Sequence, residues 1–70
     1  MSVRYLKMRS SALEEVIYAS KLERLFVKFH NGVCWEYEGI TQEEADALES
    51  AESQGRYFRQ NIRTKKGRRV

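Results

Sequence analysis

The sequence predicts an α+β domain with a three-stranded antiparallel β-meander followed by two short helices packed on one face. Two segments flanking an Asn-Gly pair alternate apolar and polar residues, as half-buried strands do, and a third such segment precedes them. After residue 40 the apolar residues change to a helical spacing behind a capping motif. Strands come first and helices second, which is the order typical of an α+β domain.

Length and composition narrow the class of protein. A chain of 70 residues forms one small domain that buries roughly 60% of its unfolded surface. It contains no apolar run near the ~20 residues of a membrane-spanning helix, and no apolar signal segment at its start. Its single cysteine cannot form an internal disulfide, so a cytoplasmic location is expected. One cysteine and one histidine are too few for a zinc site, and no metal, other cofactor or membrane partner is predicted.

The first strand is predicted over residues 13–18, which are rich in β-branched and aromatic side chains. Val16 and Tyr18 would lie on one face of this strand and Ile17 on the other. Residues 1–9 show no clean period and are interpreted as an N-terminal arm or an edge strand. The domain proper is predicted to span residues 10–63.

The turn of the central hairpin decides which side chains are buried. A two-residue turn at Asn31-Gly32 would set Val27 opposite Glu36 and mix apolar residues with carboxylates. A three-residue loop, residues 30–32, sets Val27 opposite Trp35 and gathers six apolar side chains on one face. The other pairs on that face are Phe29 with Val33 and Leu25 with Tyr37. The sequence favours the three-residue loop, in which glycine suits the positive φ expected at Gly32.

The same register describes the opposite face of the sheet. Arg24 would lie opposite Glu38, Phe26 opposite Glu36, and Lys28 opposite Cys34. Phe26 with Arg24, Lys28 and His30 would then be an exposed platform for stacking bases, although the facing carboxylates would repel phosphates. Trp35 and Tyr37 are the rival platform, but this register turns both toward the core.

Two helices are predicted after the hairpin. Thr41 to Glu44 fits a capping box for a first helix over residues 42–51. Ser53 is the predicted N-cap of a second helix that ends near Arg63 and buries Tyr57, Phe58 and Ile62. Residues 64–70 have no apolar anchor except their last residue and are predicted to be a disordered basic tail.

Charge is distributed unevenly along the chain. The net charge is +3, yet residues 39–54 hold five acidic and no basic side chains, and residues 55–70 hold seven basic and no acidic ones. The spacing of three of these arginines predicts that they share one helix face. A cluster without acids attracts a phosphate backbone, so it is the predicted nucleic-acid-binding site. Its members are Arg56, Arg59, Arg63, Lys65, Lys66, Arg68 and Arg69.

Short motifs in a specific order carry a family resemblance. They include Ser10-Ser11, Leu25, Val27, the aromatic-x-aromatic Trp35-Glu36-Tyr37, Ala51, Ser53 and Ile62-Arg63. The motif residues predicted to be core or turn positions are Tyr18, Phe29, Gly32, Trp35, Tyr37, Gly55, Tyr57 and Phe58. Together these residues resemble the KTSC domain, a small domain found at the C-terminus of some lysyl-tRNA synthetases and alone in bacterial or phage proteins. The resemblance covers most of residues 10–63.

The chain departs from the family pattern at three places. The central motif of the family is usually tyrosine-x-tyrosine, whereas Trp35 stands first here. Ala19 replaces an acidic residue after the first-strand tyrosine, and Ile40-Thr41 replaces a proline before the first helix. RNA binding is proposed for the family because of its synthetase context. The resemblance therefore implies an RNA-binding role.

The leading prediction of function is a non-catalytic nucleic-acid-binding accessory domain, with RNA favoured over DNA. The alternative is a protein-interaction or assembly module, in which the acidic segment 43–52 and the basic second helix meet complementary surfaces. Catalysis by His30 and Cys34 is not expected, because the register separates them and no third orienting group is evident. Oligomeric state is left open by the sequence.

Overall fold

Five antiparallel strands form one sheet in this computed structural model, which describes residues 3–70. The strands are β1 (Val3–Tyr5), β2 (Leu13–Ala19), β3 (Arg24–Phe29), β4 (Cys34–Tyr37) and β5 (Gly67–Arg69), in the spatial order β1-β2-β3-β4-β5. The α+β class is confirmed, but the predicted three-stranded meander is too small. An edge strand is added on each side of it.

The three-residue loop of the central hairpin is confirmed. Val27 lies opposite Trp35 and Leu25 opposite Tyr37, and the Phe29 N–H donates to the Val33 carbonyl over 2.9 Å. Gly32 has a φ of 87°, in the left-handed region that glycine tolerates best. The observed register is therefore the one that places all the apolar side chains of the hairpin stripe on one face of the sheet.

Two short helices cover one face of the sheet. The first, α1 (Gln42–Ser50), begins with the predicted capping box: Thr41 accepts from the Glu44 N–H, and the Glu44 carboxylate accepts from the Thr41 N–H. The second, α2 (Gln54–Tyr57), is capped by Ser53 as predicted. It continues as a π-helical turn (Phe58–Ile62), in which the Arg63 N–H bonds the Phe58 carbonyl.

The core lies between the helices and the sheet. It contains apolar side chains of β2, β3 and β4, of α1 and of the π-helical turn. Leu6, after β1, and Ile40, before α1, complete it. Its buried members are Leu6, Leu13, Val16, Tyr18, Leu25, Val27, Tyr37, Ile40, Ala45, Leu48, Phe58 and Ile62. As expected, Val16 and Tyr18 are buried, and Ile17, on the other face, is only partly covered.

An edge strand lies at each end of the chain, and only the first of the two was among the predicted alternatives. Residues 3–5 adopt the edge-strand alternative, and Arg4 ties β1 to α1 through a 2.7 Å ion pair with Asp46. Met1 and Ser2, part of the predicted arm, lie outside the described residues. The prediction of a disordered tail over residues 64–70 is wrong, because β5 pairs with β4. The Glu38 N–H donates to the Lys66 carbonyl over 2.8 Å, and the Val70 N–H donates to the Cys34 carbonyl over 3.0 Å.

Within residues 3–70, no helix has the length and apolar character required to cross a membrane.

Candidate nucleic-acid interface

An open cleft of about 620 Å³ lies where the hairpin, the second helical segment and β5 meet. Aromatic side chains of β3, β4 and the π-helical turn line its apolar part, namely Phe29, Trp35, Tyr37 and Phe58. Its charged lining residues are Arg59, Arg63 and Lys65, and no acidic residue lines it among the part of the chain described. We call this site the aromatic cleft.

Ring contacts hold the apolar part of the aromatic cleft rigid. Trp35 and Tyr37 are stacked, with ring centroids 6.1 Å apart and planes 18° apart. Tyr37 meets Phe58 edge-on at 5.4 Å, and Phe58 meets Phe29 edge-on at 5.6 Å. Tyr37 and Phe58 are buried, whereas Trp35 is only partly buried. Trp35 is thus the exposed end of a packed aromatic cluster, a geometry that pre-orients its indole for stacking.

The exposure of Trp35 refines the register argument. Register put Trp35 on the helix side of the sheet, which is correct, but the helices do not fully cover it. Tyr37, two residues along the same strand, is buried, and burial raises the pKa of its phenol. The positive charge of the nearby Arg63 lowers that pKa and so partly offsets burial. The two platform candidates on β4 therefore differ: Tyr37 is core, and Trp35 borders the cleft.

Strand β5 closes one side of the aromatic cleft through Gly67. Gly67 lies opposite Tyr37, and a Cβ built on it would come within 2.6 Å and 2.7 Å of two Tyr37 ring carbons. Only a residue without a side chain allows the strand to approach the ring this closely. The composition of β5 therefore fits its place against the aromatic cluster.

The seven predicted cations are distributed over more than one depression and over both faces of the sheet. Arg59 and Arg63 line the aromatic cleft, but Arg56 lines a separate depression with Glu52 and Gln60. The prediction of one shared arginine face assumed regular α-helical spacing. The π-helical turn after Tyr57 changes that spacing, since its hydrogen bond spans five residues instead of four.

Ion pairs engage two more of the predicted cations. The Lys65 ammonium lies 3.0 Å from the Glu44 carboxylate at the start of α1. On the opposite sheet face, the Arg68 Nε lies 2.9 Å from Glu36 Oε1. Lys66 and Arg69 are exposed, and Arg69 faces Trp35 in the β4–β5 register.

Glu36 is a buried carboxylate on the sheet face opposite the aromatic cleft. It is 5% exposed and is paired with Arg68 on one side and with Arg24, at 3.5 Å, on the other. The expected pair of Arg24 with Glu38 is therefore replaced by a diagonal pair, because β4 ends at Tyr37. Phe26, opposite Glu36, is only partly buried. The rival platform around Phe26 thus has its arginine engaged by a carboxylate.

The remaining family motif residues support the fold. The Tyr18 hydroxyl donates a hydrogen bond to the Ile40 carbonyl over 2.7 Å. Burial raises the pKa of this phenol. Gly55 is half-buried beside Ser10 and Arg59, and Tyr57 packs against the core. These positions stabilise the helix–sheet packing that presents the aromatic cleft.

Gln54 is a structural residue that sequence reasoning missed. Its side chain is 3% exposed, and its Oε1 accepts from the Arg9 N–H over 2.6 Å. Its Nε2 donates to the carbonyls of Lys7 and Glu49 over 2.9 Å and 3.0 Å. The amide thus joins the segment after β1 to both helices. Its position directly after the Ser53 cap was the one available signal.

His30 and Cys34 are engaged by local partners. His30 Nδ1 lies 3.7 Å from the Glu14 carboxylate, and the Cys34 thiol lies 3.9 Å from the Gly32 carbonyl. Among residues 3–70, no group of three or more His, Cys, Asp and Glu side chains is arranged to hold a metal ion.

Comparison with known proteins gives a sequence match and a fold match. The family model of the KTSC domain matches residues 9–65. A crystal structure of a KTSC domain protein from Yersinia pestis superposes with a TM-score of 0.88, covers 99% of each chain and is 21% identical in sequence. At that identity the structural likeness shows the fold alone. No curated protein matches the chain.

Proposed function

Because this chain belongs to the KTSC domain family, we propose that it is a non-catalytic, cytoplasmic RNA-binding accessory domain. One observation carries the proposal: a partly exposed Trp35 borders a cleft whose charged lining residues are all cations. Aromatic side chains stack on bases and cations bind phosphates, so their combination is typical of nucleic-acid sites.

The electrostatics of the aromatic cleft support the same proposal. Arg59 and Arg63 are both exposed and stand on consecutive turns of one helical segment. Arginine binds the oxygens of phosphates, as of carboxylates, through paired N–H donors, so two arginines at one cleft suit an anionic ligand such as a phosphate backbone. The acidic residue nearest in sequence, Glu52, lines the separate depression with Arg56, and the next two, Glu49 and Asp46, pair with Arg4.

Titration of the protein into fluorescently labelled RNA tests the proposal. We expect saturable binding that weakens as salt rises, because phosphate contacts release counterions. Changing Arg59 and Arg63 together to glutamine should lower the affinity at least about tenfold, because charge-assisted hydrogen bonds contribute roughly 1.5–3 kcal/mol each. Arg56→Gln, in the separate depression, is the matched control and should have little effect. Absence of binding at low salt would refute the proposal.

A protein-assembly role is the second candidate, and the open sheet face favours it. Tyr5, Ile17 and Phe26 lie side by side across β1, β2 and β3, and Tyr5 is 64% exposed. Such an apolar row fits contact with another protein surface. The version in which the acidic helix meets a basic partner is less favoured, since its carboxylates are partly paired within the chain. Light scattering at rising concentration tests self-association, and a Tyr5→Ser variant should reverse any dimer.

A further inference from the structure

We infer that the aromatic cleft accepts one unpaired nucleobase of a single-stranded RNA, stacked against Trp35, with the flanking phosphates on Arg59 and Arg63. This inference rests on the proposed RNA-binding function and narrows it to a substrate class. It differs from the sequence prediction, in which all seven cations between Arg56 and Arg69 bind a phosphate backbone, as an extended duplex would require.

The separation of the cations argues against a duplex. A duplex backbone is recognised by cations spread along an extended surface that follows its phosphates. Here Arg56 lies beside another depression, and Arg68 is paired with Glu36 on the opposite sheet face. Arg69 lies opposite Trp35 in the β4–β5 register, and three cations line the cleft itself, namely Arg59, Arg63 and the Glu44-paired Lys65. That number of cations suits two or three phosphates of one strand.

The apolar lining argues for a base. In a duplex the base faces are stacked on one another, so an aromatic cleft can meet only a base that is unpaired and unstacked. Trp35 and Tyr37 are already stacked on each other, and both line the cleft. A base placed against Trp35 would extend this stack without requiring the protein to rearrange. Because every base has a π-face, we expect weak preference among sequences.

The size of the site sets the expected salt dependence. Two or three phosphate contacts give a slope of log affinity against log salt of about −1.4 to −2.1 for a single strand. Contacts from all seven cations would give a slope of about −5. The slope therefore separates a local cleft from an extended basic surface.

The test compares three probes of about eight nucleotides, a length within the usual site size. They are an oligoadenylate, the same length of abasic sugar-phosphate chain, and an RNA duplex. We expect the oligoadenylate to bind about fivefold or more tightly than either of the others, since one stacked base contributes roughly 1–3 kcal/mol. It should also change the fluorescence of Trp35, the single tryptophan of the chain.

Variants of Trp35 complete the test. Trp35→Leu should remove the advantage of the oligoadenylate over the abasic chain, and Trp35→Phe should retain most of it. If Trp35→Leu fails to fold, the abasic comparison with the unchanged protein still decides. Equal binding of all three probes, or unchanged tryptophan fluorescence, would overturn the inference but leave RNA binding standing. Binding of none of the probes would refute the proposed function itself.

Discussion

Gly67 is the position where a single methyl group should do most harm. In Gly67→Ala the new Cβ would lie 2.6 Å and 2.7 Å from Tyr37 ring carbons and 3.3 Å from the Glu36 carbonyl oxygen. Favourable carbon–carbon contacts lie at about 3.5–4.0 Å, so the overlap is about 1 Å. The ring cannot swing away easily, because Trp35 stacks on it and Phe58 packs edge-on against it.

The expected loss of stability follows from two routes of relief. Overpacking a rigid site costs about 1–3 kcal/mol. Detaching β5 instead would forfeit its backbone pairing with β4, the two hydrogen bonds that flank this pairing and the Arg68–Glu36 pair, with each hydrogen bond contributing about 0.5–1.5 kcal/mol. The less costly route sets the loss, so we expect the free energy of unfolding to fall by about 1–3 kcal/mol. The melting temperature should fall by about 4–8 °C per kcal/mol.

Urea denaturation followed by Trp35 fluorescence measures this loss, and Gly55→Ala provides the matched control. A Cβ on Gly55 would sit 3.5 Å from the Ser10 hydroxyl and 3.6 Å from Arg59, which are ordinary contacts. Because Gly55 lies in a helix, alanine there should stabilise the protein by about 0.5–1 kcal/mol. The reasoning would be refuted if the free energy of unfolding of Gly67→Ala equalled that of the parent, or exceeded that of Gly55→Ala.

Three further changes test the interior and the first helix. Gln54→Leu should lower the free energy of unfolding by about 2–4 kcal/mol, because three hydrogen bonds to backbone groups are lost and only the Glu49 carbonyl among the three keeps another side-chain donor, Arg9; an unchanged urea midpoint would contradict this. Tyr18→Phe should cost about 1–3 kcal/mol by leaving the Ile40 carbonyl unpaired, which thermal unfolding measures. Burial would raise the pKa of Glu44, but its bonds to the helix N-cap and to Lys65 outweigh burial and lower the pKa below 4.5. The stability from its charge is therefore present at neutral pH and lost as pH falls through the lowered pKa, so Glu44→Gln should destabilise at pH 7, and its difference from the parent should shrink as acid protonates Glu44 in the parent.

The hairpin, the caps and the helix–sheet packing could be predicted because burial and capping constrain them strongly. A two-residue turn would place Val27 and Trp35 on opposite faces of the sheet, whereas the three-residue loop places them on the same face. Only the loop could therefore bury a single apolar stripe. Thr41 and Ser53 each offered a hydroxyl at the start of a helical pattern. In each case one local rule excluded the competing structure.

Strand β5 and the aromatic cleft could not be predicted by the same rules. Lys65 to Arg69 carries no apolar side chain, so its sequence alone favours solvent. What holds β5 is its partner strand, where Glu36 accepts an arginine and the Tyr37 ring leaves room only for glycine. Register likewise assigned Trp35 to the correct face but carried no information on how far the helices extend over it. Tertiary placement decided both outcomes.

The late position of β5 in the chain has a consequence for the order of folding. Short connections join β1 to β2, β2 to β3 and β3 to β4, whereas β5 reaches β4 across residues 38–66, which contain both helices. Closing a longer loop costs more entropy, and pairing of distant segments is correspondingly slow. We therefore expect β5 to dock last during folding and to open first in the native state. Amide hydrogens of β5 should then exchange with solvent sooner than those of β2 and β3.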